Sequence, residues 1–260
     1  MLAHGGRSQI PLAVEQEPFL AVRSLPFGLP NGYDIQPHSH DWHQLLYASA
    51  GAMTVHAGQA SWMIPSERCV WIPAGCLHSI RMWGSVEMRT LYFEPTRLAV
   101  PPKQDCQVLS VSPLLRELIL RTVEMGALDS RQTPHQLLFG VLLEEIRMAP
   151  LLPLCLAMPS DERAANVAKY LIDDPTVEET IEQLGKRFGA SSRTLERRFQ
   201  TETGLSFGLW RQKSRMLNSL RSLSSEGSVT TAALDCGYSS VSAYIAAFKK
   251  TFGCTPSRFR

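Results

Sequence analysis

The sequence predicts an α+β multidomain protein: an N-terminal β-barrel or sandwich followed by helices, then an all-α C-terminal domain with two helix-turn-helix units. Three observations point there. The hydrophobic pattern changes period after Pro101-Pro102, from short strand-like runs to steps of three and four. A helical pattern near residue 190 recurs 49 residues later, Leu195 answering to Tyr244. Charge is segregated: residues 1–160 hold 11 Lys/Arg against 13 Asp/Glu (net −2), and residues 184–260 hold 13 against 4 (net +9). The overall net charge of +2 hides one basic end, as expected of a domain that meets a polyanion.

The 260 residues are enough for about two cores. Hydrophobic residues make up 44% and charged residues 19%, which excludes a disordered chain. No apolar run approaches the roughly 18 residues of a membrane span. The most apolar stretch, Leu137–Met158, is interrupted by Glu144, Glu145, Arg147, Pro150 and Pro153. The N-terminus carries no signal-peptide h-region. The six cysteines contain no Cys-x-x-Cys pair and read as thiols of a reduced, cytoplasmic protein.

From about Ala21 to Glu94, the runs Leu45–Ala48, Met53–His56, Ser61–Ile64, Cys69–Ile72 and Met88–Phe93 read as strands. Ser49-Ala50-Gly51, Gly58, Pro65-Ser66, Pro73-Ala74-Gly75 and Gly84-Ser85 read as the turns between them. Many short strands at close spacing form a barrel or sandwich. Pro113–Leu128 and Thr133–Met148 then read as helices, which either pair two chains or pack on their own barrel. These give a barrel at 1–105 and a helical segment at 106–150; Ala149–Asp161, with three prolines and no strong period, places a linker at 151–161.

In the remaining 162–260, Thr176-Val-Glu-Glu179 reads as a capping box opening a helix with Ile181, Leu184 and Phe188. Gly189 and Ala190 make a tight turn, and Ser191 caps a second helix whose buried stripe is Leu195 and Phe199. Arg193, Glu196, Arg197 and Gln200 lie on the outer face, with Ser192 at its start. This is a helix-turn-helix over about 178–200. Its arginines are suited to guanine O6 and N7. The second unit, about 228–250, repeats the plan with Ser228, Gly237, Ser239/Ser240, Tyr244 and Phe248. Its outer face holds Ser242, Ile245, Ala246 and Lys249 in place of the long polar side chains. Ser206–Ser222 reads as a helix of about 17 residues joining the units, ~25 Å long. The first unit is therefore expected to read bases through Ser192, Arg193, Glu196, Arg197 and Gln200, with Ser242 from the second. Lys249 and Lys250 are expected to clamp the DNA backbone.

Ser191-Ser-Arg-Thr-Leu-Glu-Arg-Arg-Phe199, Glu202-Thr-Gly204, Trp210-Arg211, Gly237-Tyr238, Phe248-Lys249, Phe252-Gly253, Thr255-Pro256 and Phe259-Arg260 resemble the AraC/XylS family of transcription regulators. The resemblance covers nearly all of 162–260. It implies double-stranded promoter DNA as partner and an N-terminal domain that senses a small molecule, dimerises, or both. Gly185 stands where the family usually has Ala, and Ala246 where many members are polar or basic. Gly185 is expected to loosen its helix slightly.

In the N-terminal half, Pro37-His38-Ser-His40-Asp-Trp-His43-Gln44 and Pro73-Ala-Gly75-Cys-Leu-His78 hold four of the seven histidines. Two His one residue apart on a strand share a face, and a third from a later turn completes a three-histidine group. This resembles the two motifs of the cupin barrel, with His38, His40 and His78 on ligand positions and Gln44 replacing the usual glutamate. Three readings stand: histidines hydrogen-bonded within the barrel, a small-effector pocket, or a divalent-metal site in a protein otherwise expected to need no cofactor. Trp42, Trp62, Trp71 and Trp83 read as pocket lining or core.

The expected function is a sequence-specific, effector-responsive DNA-binding regulator acting as a homodimer, not an enzyme. The alternatives are a metal-dependent cupin enzyme fused to a DNA-binding module, and a ligand-blind dimeric regulator. Against the enzyme stands the lack of a second acid/base or nucleophile constellation.

Overall fold

A computed structural model describes residues 19–98, 101–224 and 228–259. The first 18 residues of the expected barrel and the terminal Arg260 lie outside that range. The chain divides into two compact units, one of residues 1–49 and 67–152, the other of residues 50–66 and 153–260.

The first unit is an antiparallel sheet packed on two helices. Its strands are β1 (Leu20–Leu29), β2 (Asp34–His38), the first part of β3 (His43–Ala57), β5 (Arg68–Ile72), β6 (His78–Phe93), β7 (Gln107–Ser110), β8 (Ala127–Asp129) and β9 (Leu151–Leu152). They run in the order β8-β1-β6-β3-β5-β7-β9, with β2 added against β6. Register is set by burial: Val22 faces Phe93, Leu45 faces Trp71, and Tyr47 faces Cys69. These six side chains are almost wholly buried and share one core with Leu115 and Ile119 of α1 (Pro113–Met125) and Leu142, Leu143 and Ile146 of α2 (Thr133–Met148). Both helices thus turn one apolar stripe onto their own sheet. Each fully buried Leu or Ile contributes about 1.5–3 kcal/mol. Leu114, Leu137, Val141 and Met148 remain exposed.

The second unit holds the end of β3 with β4 (Ala60–Ile64) and β10 (Cys155–Ala157), and the helices from α3 (Glu162–Asp173) onward. β4 pairs β3 on one side and β10 on the other. The helices are α4 (Ile181–Phe188), α5 (Ser192–Thr203), α6 (Phe207–Ser224), α7 (Val229–Asp235), α8 (Val241–Phe252) and α9 (Pro256–Phe259). Phe199 is fully buried with Phe207 and Trp210 at ring distances of 5.2 and 5.0 Å. Truncating such a ring costs about 3–5 kcal/mol. Among the described residues no helix is long and apolar enough to cross a membrane.

The structure corrects several expectations. The 151–161 linker carries β9 and β10, and the hairpin 50–66 groups with the C-terminal half rather than with the rest of the 1–105 barrel. Strands of two and three residues are too short to display a period, and their partners are far away in sequence. Ser49-Ala50-Gly51 and Gly84-Ser85 are not turns. β3 and β6 run straight through them, with Gly51 and Gly84 at φ near 74° bending the strand without ending it. The first helix stops at Met125, where Gly126 (φ 75°) leads into β8. The capping box lies four residues later than expected. Thr180 accepts from the Gln183 amide while the Gln183 side chain accepts from that of Thr180. Thr176 instead bonds Asp174, and Glu179 is drawn to Arg187 at 3.1 Å. Gly185 does not merely loosen α4: a Cβ there would lie 2.5 Å from the Ala190 carbonyl oxygen, where the chain folds back and the Ala190 amide bonds the Gly185 carbonyl.

Candidate functional site

In the second unit the two helix-turn-helices are built the same way. Gly189 (φ 72°) lets α4 stop and turn, and Ser191 caps α5 by accepting from Thr194 N–H. Ser228 caps α7, Gly237 (φ 73°) makes the second turn, and Ser240 caps α8 by accepting from Ala243 N–H. Leu195 and Phe199 in α5, and Tyr244 and Phe248 in α8, are fully buried, which fixes the opposite faces outward. Across the middle, α6 is 18 residues long, about 27 Å.

On α5, Arg193, Glu196, Arg197 and Gln200 are exposed and Ser192 is half-buried at the first turn. They are not equivalent. The Glu196 carboxylate accepts the backbone N–H of Phe207 at 3.2 Å and so caps the first turn of α6. The Gln200 amide nitrogen donates to the Gly204 carbonyl at 3.3 Å. The Arg197 carbonyl accepts from Thr201 Oγ1 at 2.8 Å, but among the described residues the Arg193 and Arg197 side chains enter no hydrogen bond or ion pair. Arg198, one residue along, does: it pairs with Glu202 at 3.0 Å and Asp161 at 3.2 Å, and Glu202 caps the backbone at Ser160 and Asp161. On α8, Ser242, Ala246, Lys249 and Lys250 are exposed, the lysines in the last turn.

In the first unit, the structure brings His38, His40 and His78 together, one ring nitrogen from each within 4.8 Å of the others. His38 ends β2 and His78 begins β6, paired across the sheet. His40 is not on the strand, contrary to the expected one-face spacing; it lies in the loop after β2. Each ring has its Nδ1 against a backbone carbonyl: Gln36 at 2.9 Å, Trp42 at 2.6 Å and Cys76 at 2.9 Å. Burial pushes His78 down to about 4, with the His38 and His40 imidazoles adding to the effect and the Cys76 carbonyl opposing it. Burial likewise lowers His40. His43 stays out of the group: its Nδ1 accepts from Ala74 N–H and its ring stacks on Trp71. Trp71 is core, whereas Trp42, Trp62 and Trp83 are half-buried.

Gln44, buried on β3, places its Oε1 3.2 Å from His40 Nε2 and donates from Nε2 to Thr90 Oγ1 and Tyr92 OH. Thr90 and Tyr92 were not legible as site residues; they come from β6, over 40 residues away, and only the sheet pairing brings them in.

Residues 28–138 match the family described as AraC-like ligand binding domain, and residues 184–260 match that described as helix-turn-helix domain. The chain is 33% identical over 222 residues to the HTH-type transcriptional regulator NimR of Escherichia coli (strain K12), covering 85% of this chain and 81% of that one. It is 32% identical over 102 residues to the HTH-type transcriptional regulator RipA of Corynebacterium glutamicum, covering 39% of this chain and 31% of RipA. Among solved structures, unsaturated fatty acid bound ToxT from Vibrio cholerae aligns over 92% of this chain and 94% of its own, at 12% identity and a TM-score of 0.38. The chain therefore belongs to the AraC/XylS family of transcription regulators, with an AraC-like ligand-binding domain ahead of its helix-turn-helix domain.

Proposed function

We propose that this regulator binds double-stranded promoter DNA as a cytoplasmic homodimer, answers to a small-molecule effector held at His38, His40 and His78, and has no enzymatic activity. Within the DNA-binding half, α5 reads sequence and the end of α8 holds the backbone. The observation that carries this division is the contrast between the two outer faces. Arg193 and Arg197 stand exposed on α5, whereas α8 offers Ser242 and Ala246 at the corresponding places and two lysines in its last turn. Arginine hydrogen-bonds a guanine edge bidentately, and lysine meets phosphate as a point charge. Glu196 and Gln200, which hold backbone groups of their own chain, contribute less to base reading than Arg193 and Arg197. Ser192 lies where the first turn of α5 meets the DNA, and Ser242 supports rather than sets the sequence preference.

Site selection on random duplexes tests the division. Arg197→Ala is expected to relax preference at its base by about 1–3 kcal/mol, and Lys250→Ala to weaken all sequences alike with a shallower salt dependence. Equal loss of discrimination from Ser242→Ala and Arg197→Ala would overturn it. The exposed Leu137, Val141 and Met148 on α2 form the proposed chain-pairing stripe.

A further inference from the structure

The proposed effector pocket carries a sharper inference, which rests on that reading of the same three histidines. A backbone carbonyl only accepts, so the bonds to Gln36, Trp42 and Cys76 place the proton on Nδ1 in all three rings. Nε2 is then the bare lone pair that each ring has left to give. His78 is 1% exposed, and among the described residues its Nε2 has no hydrogen-bond partner. A buried acceptor without a donor loses its hydration for nothing in return. Gln44 Oε1, facing His40 Nε2 at 3.2 Å while its amide nitrogen serves Thr90 and Tyr92, adds a fourth acceptor to the group. Turning that amide over would supply His40 with a donor, since the two hydroxyls can donate as well as accept, but would leave His78 Nε2 as it is.

Acceptors that converge with no proton among them are matched by a cation. Imidazoles whose other nitrogen is anchored on a carbonyl are oriented as metal ligands are. Ligand atoms around a tetrahedral zinc at about 2.0–2.1 Å lie about 3.4 Å apart, so the Gln44–His40 separation already fits. The half-buried His38 is the ring with room to close on the rest. We propose that His38, His40 and His78 bind one divalent transition-metal ion through Nε2, with Gln44 Oε1 beside them. Three neutral nitrogens and an amide oxygen favour Zn2+, Ni2+, Co2+ or Cu2+ over Mg2+ and Ca2+.

The test uses the full-length protein, stripped with chelator and titrated calorimetrically with Zn2+, Ni2+ and Mg2+, and spectroscopically with Co2+. Expected are one saturable site for Zn2+ and Ni2+, none for Mg2+, and Co2+ spectra without thiolate charge-transfer bands. His38→Ala, which removes a half-exposed ring, and His78→Gln should each weaken binding on the order of 10–100-fold. Melting curves of the metal-free proteins check that His38→Ala folds, as expected for the loss of a half-exposed ring. Absence of a saturable site, thiolate bands, or undiminished binding by a folded His38→Ala would overturn the proposal. Operator affinity, measured with and without Zn2+ and a panel of organic effectors, separates this from the parent reading. Stoichiometric metal with unresponsive DNA binding supports the metal site and sinks the effector role. A response to an organic effector with no metal bound does the reverse.

Discussion

Tyr244 and Ser219 offer a stringent test of how the second helix-turn-helix is held to the connecting helix. Both are fully buried, and the Tyr244 hydroxyl donates to Ser219 Oγ at 2.9 Å. Ser219 Oγ in turn donates to the Met216 carbonyl at 2.7 Å. The two ends of the bond differ. Tyr244→Phe removes one donor and leaves Ser219 with its own acceptor, so the loss is that of a single bond, about 0.5–1.5 kcal/mol. Ser219→Ala strands a buried hydroxyl on Tyr244 and costs its desolvation, about 1–3 kcal/mol. In the double variant the stranded hydroxyl is gone as well, so adding Tyr244→Phe to Ser219→Ala should recover stability rather than lose more. Each kcal/mol corresponds to about 2–4 °C in a chain of this size. Thermal melts of the wild type, both single variants and the double variant measure the coupling. A double variant whose melting temperature falls by the sum of the two single losses would refute the reasoning.

Two further expectations concern the first helix-turn-helix and its anchor. Gly185→Ala should lower the melting temperature by a few degrees: a helix-propensity gain of about 1 kcal/mol is outweighed by about 1–3 kcal/mol of crowding against the Ala190 carbonyl. A stabilised variant would show that the turn relaxes freely. Asp161 caps α3 and pairs with Arg163 at 3.0 Å and Arg198 at 3.2 Å, and the Arg163 guanidinium chiefly holds its carboxyl down at about 2. Because the folded value lies below the unfolded one, its contribution is complete above about pH 4 and lost as pH falls towards 2. Asp161→Asn should therefore melt lower than wild type at pH 7, with the gap narrowing near pH 2; a constant gap across that range would contradict the assignment.

Local features were legible and distant ones were not. Ser191, Gly189, Ser228 and Gly237 announce caps and turns within a few residues of one another, so the paired helix-turn-helix plan stood in the sequence. Gly51 and Gly84 carry the same signature as a turn, and only the partners across the sheet tell a bend in a strand from its end. Thr-x-x-Glu at 176 and Thr-x-x-Gln at 180 are equally good boxes on paper; Asp174 and Arg187 decide between them by claiming Thr176 and Glu179. The histidine group was named correctly from the sequence, but not for the one-face spacing expected of it, since His40 reaches the group from the loop after β2. Its carbonyl anchors at Gln36, Trp42 and Cys76, and the hydroxyls that orient Gln44, depend on chain folding that no spacing encodes.

The Glu196 contact bears on how readily the DNA preference of such a protein can be rewritten. Its carboxylate sits on the outer face of α5 yet holds the first turn of α6 at Phe207. A substitution at 196 chosen to favour another base would also release the start of the helix that joins the two units, disturbing where the second one lies. Positions 193 and 197 carry no such duty. On the proposed reading of α5, libraries aimed at new operators should therefore vary Arg193 and Arg197 and keep Glu196 constant.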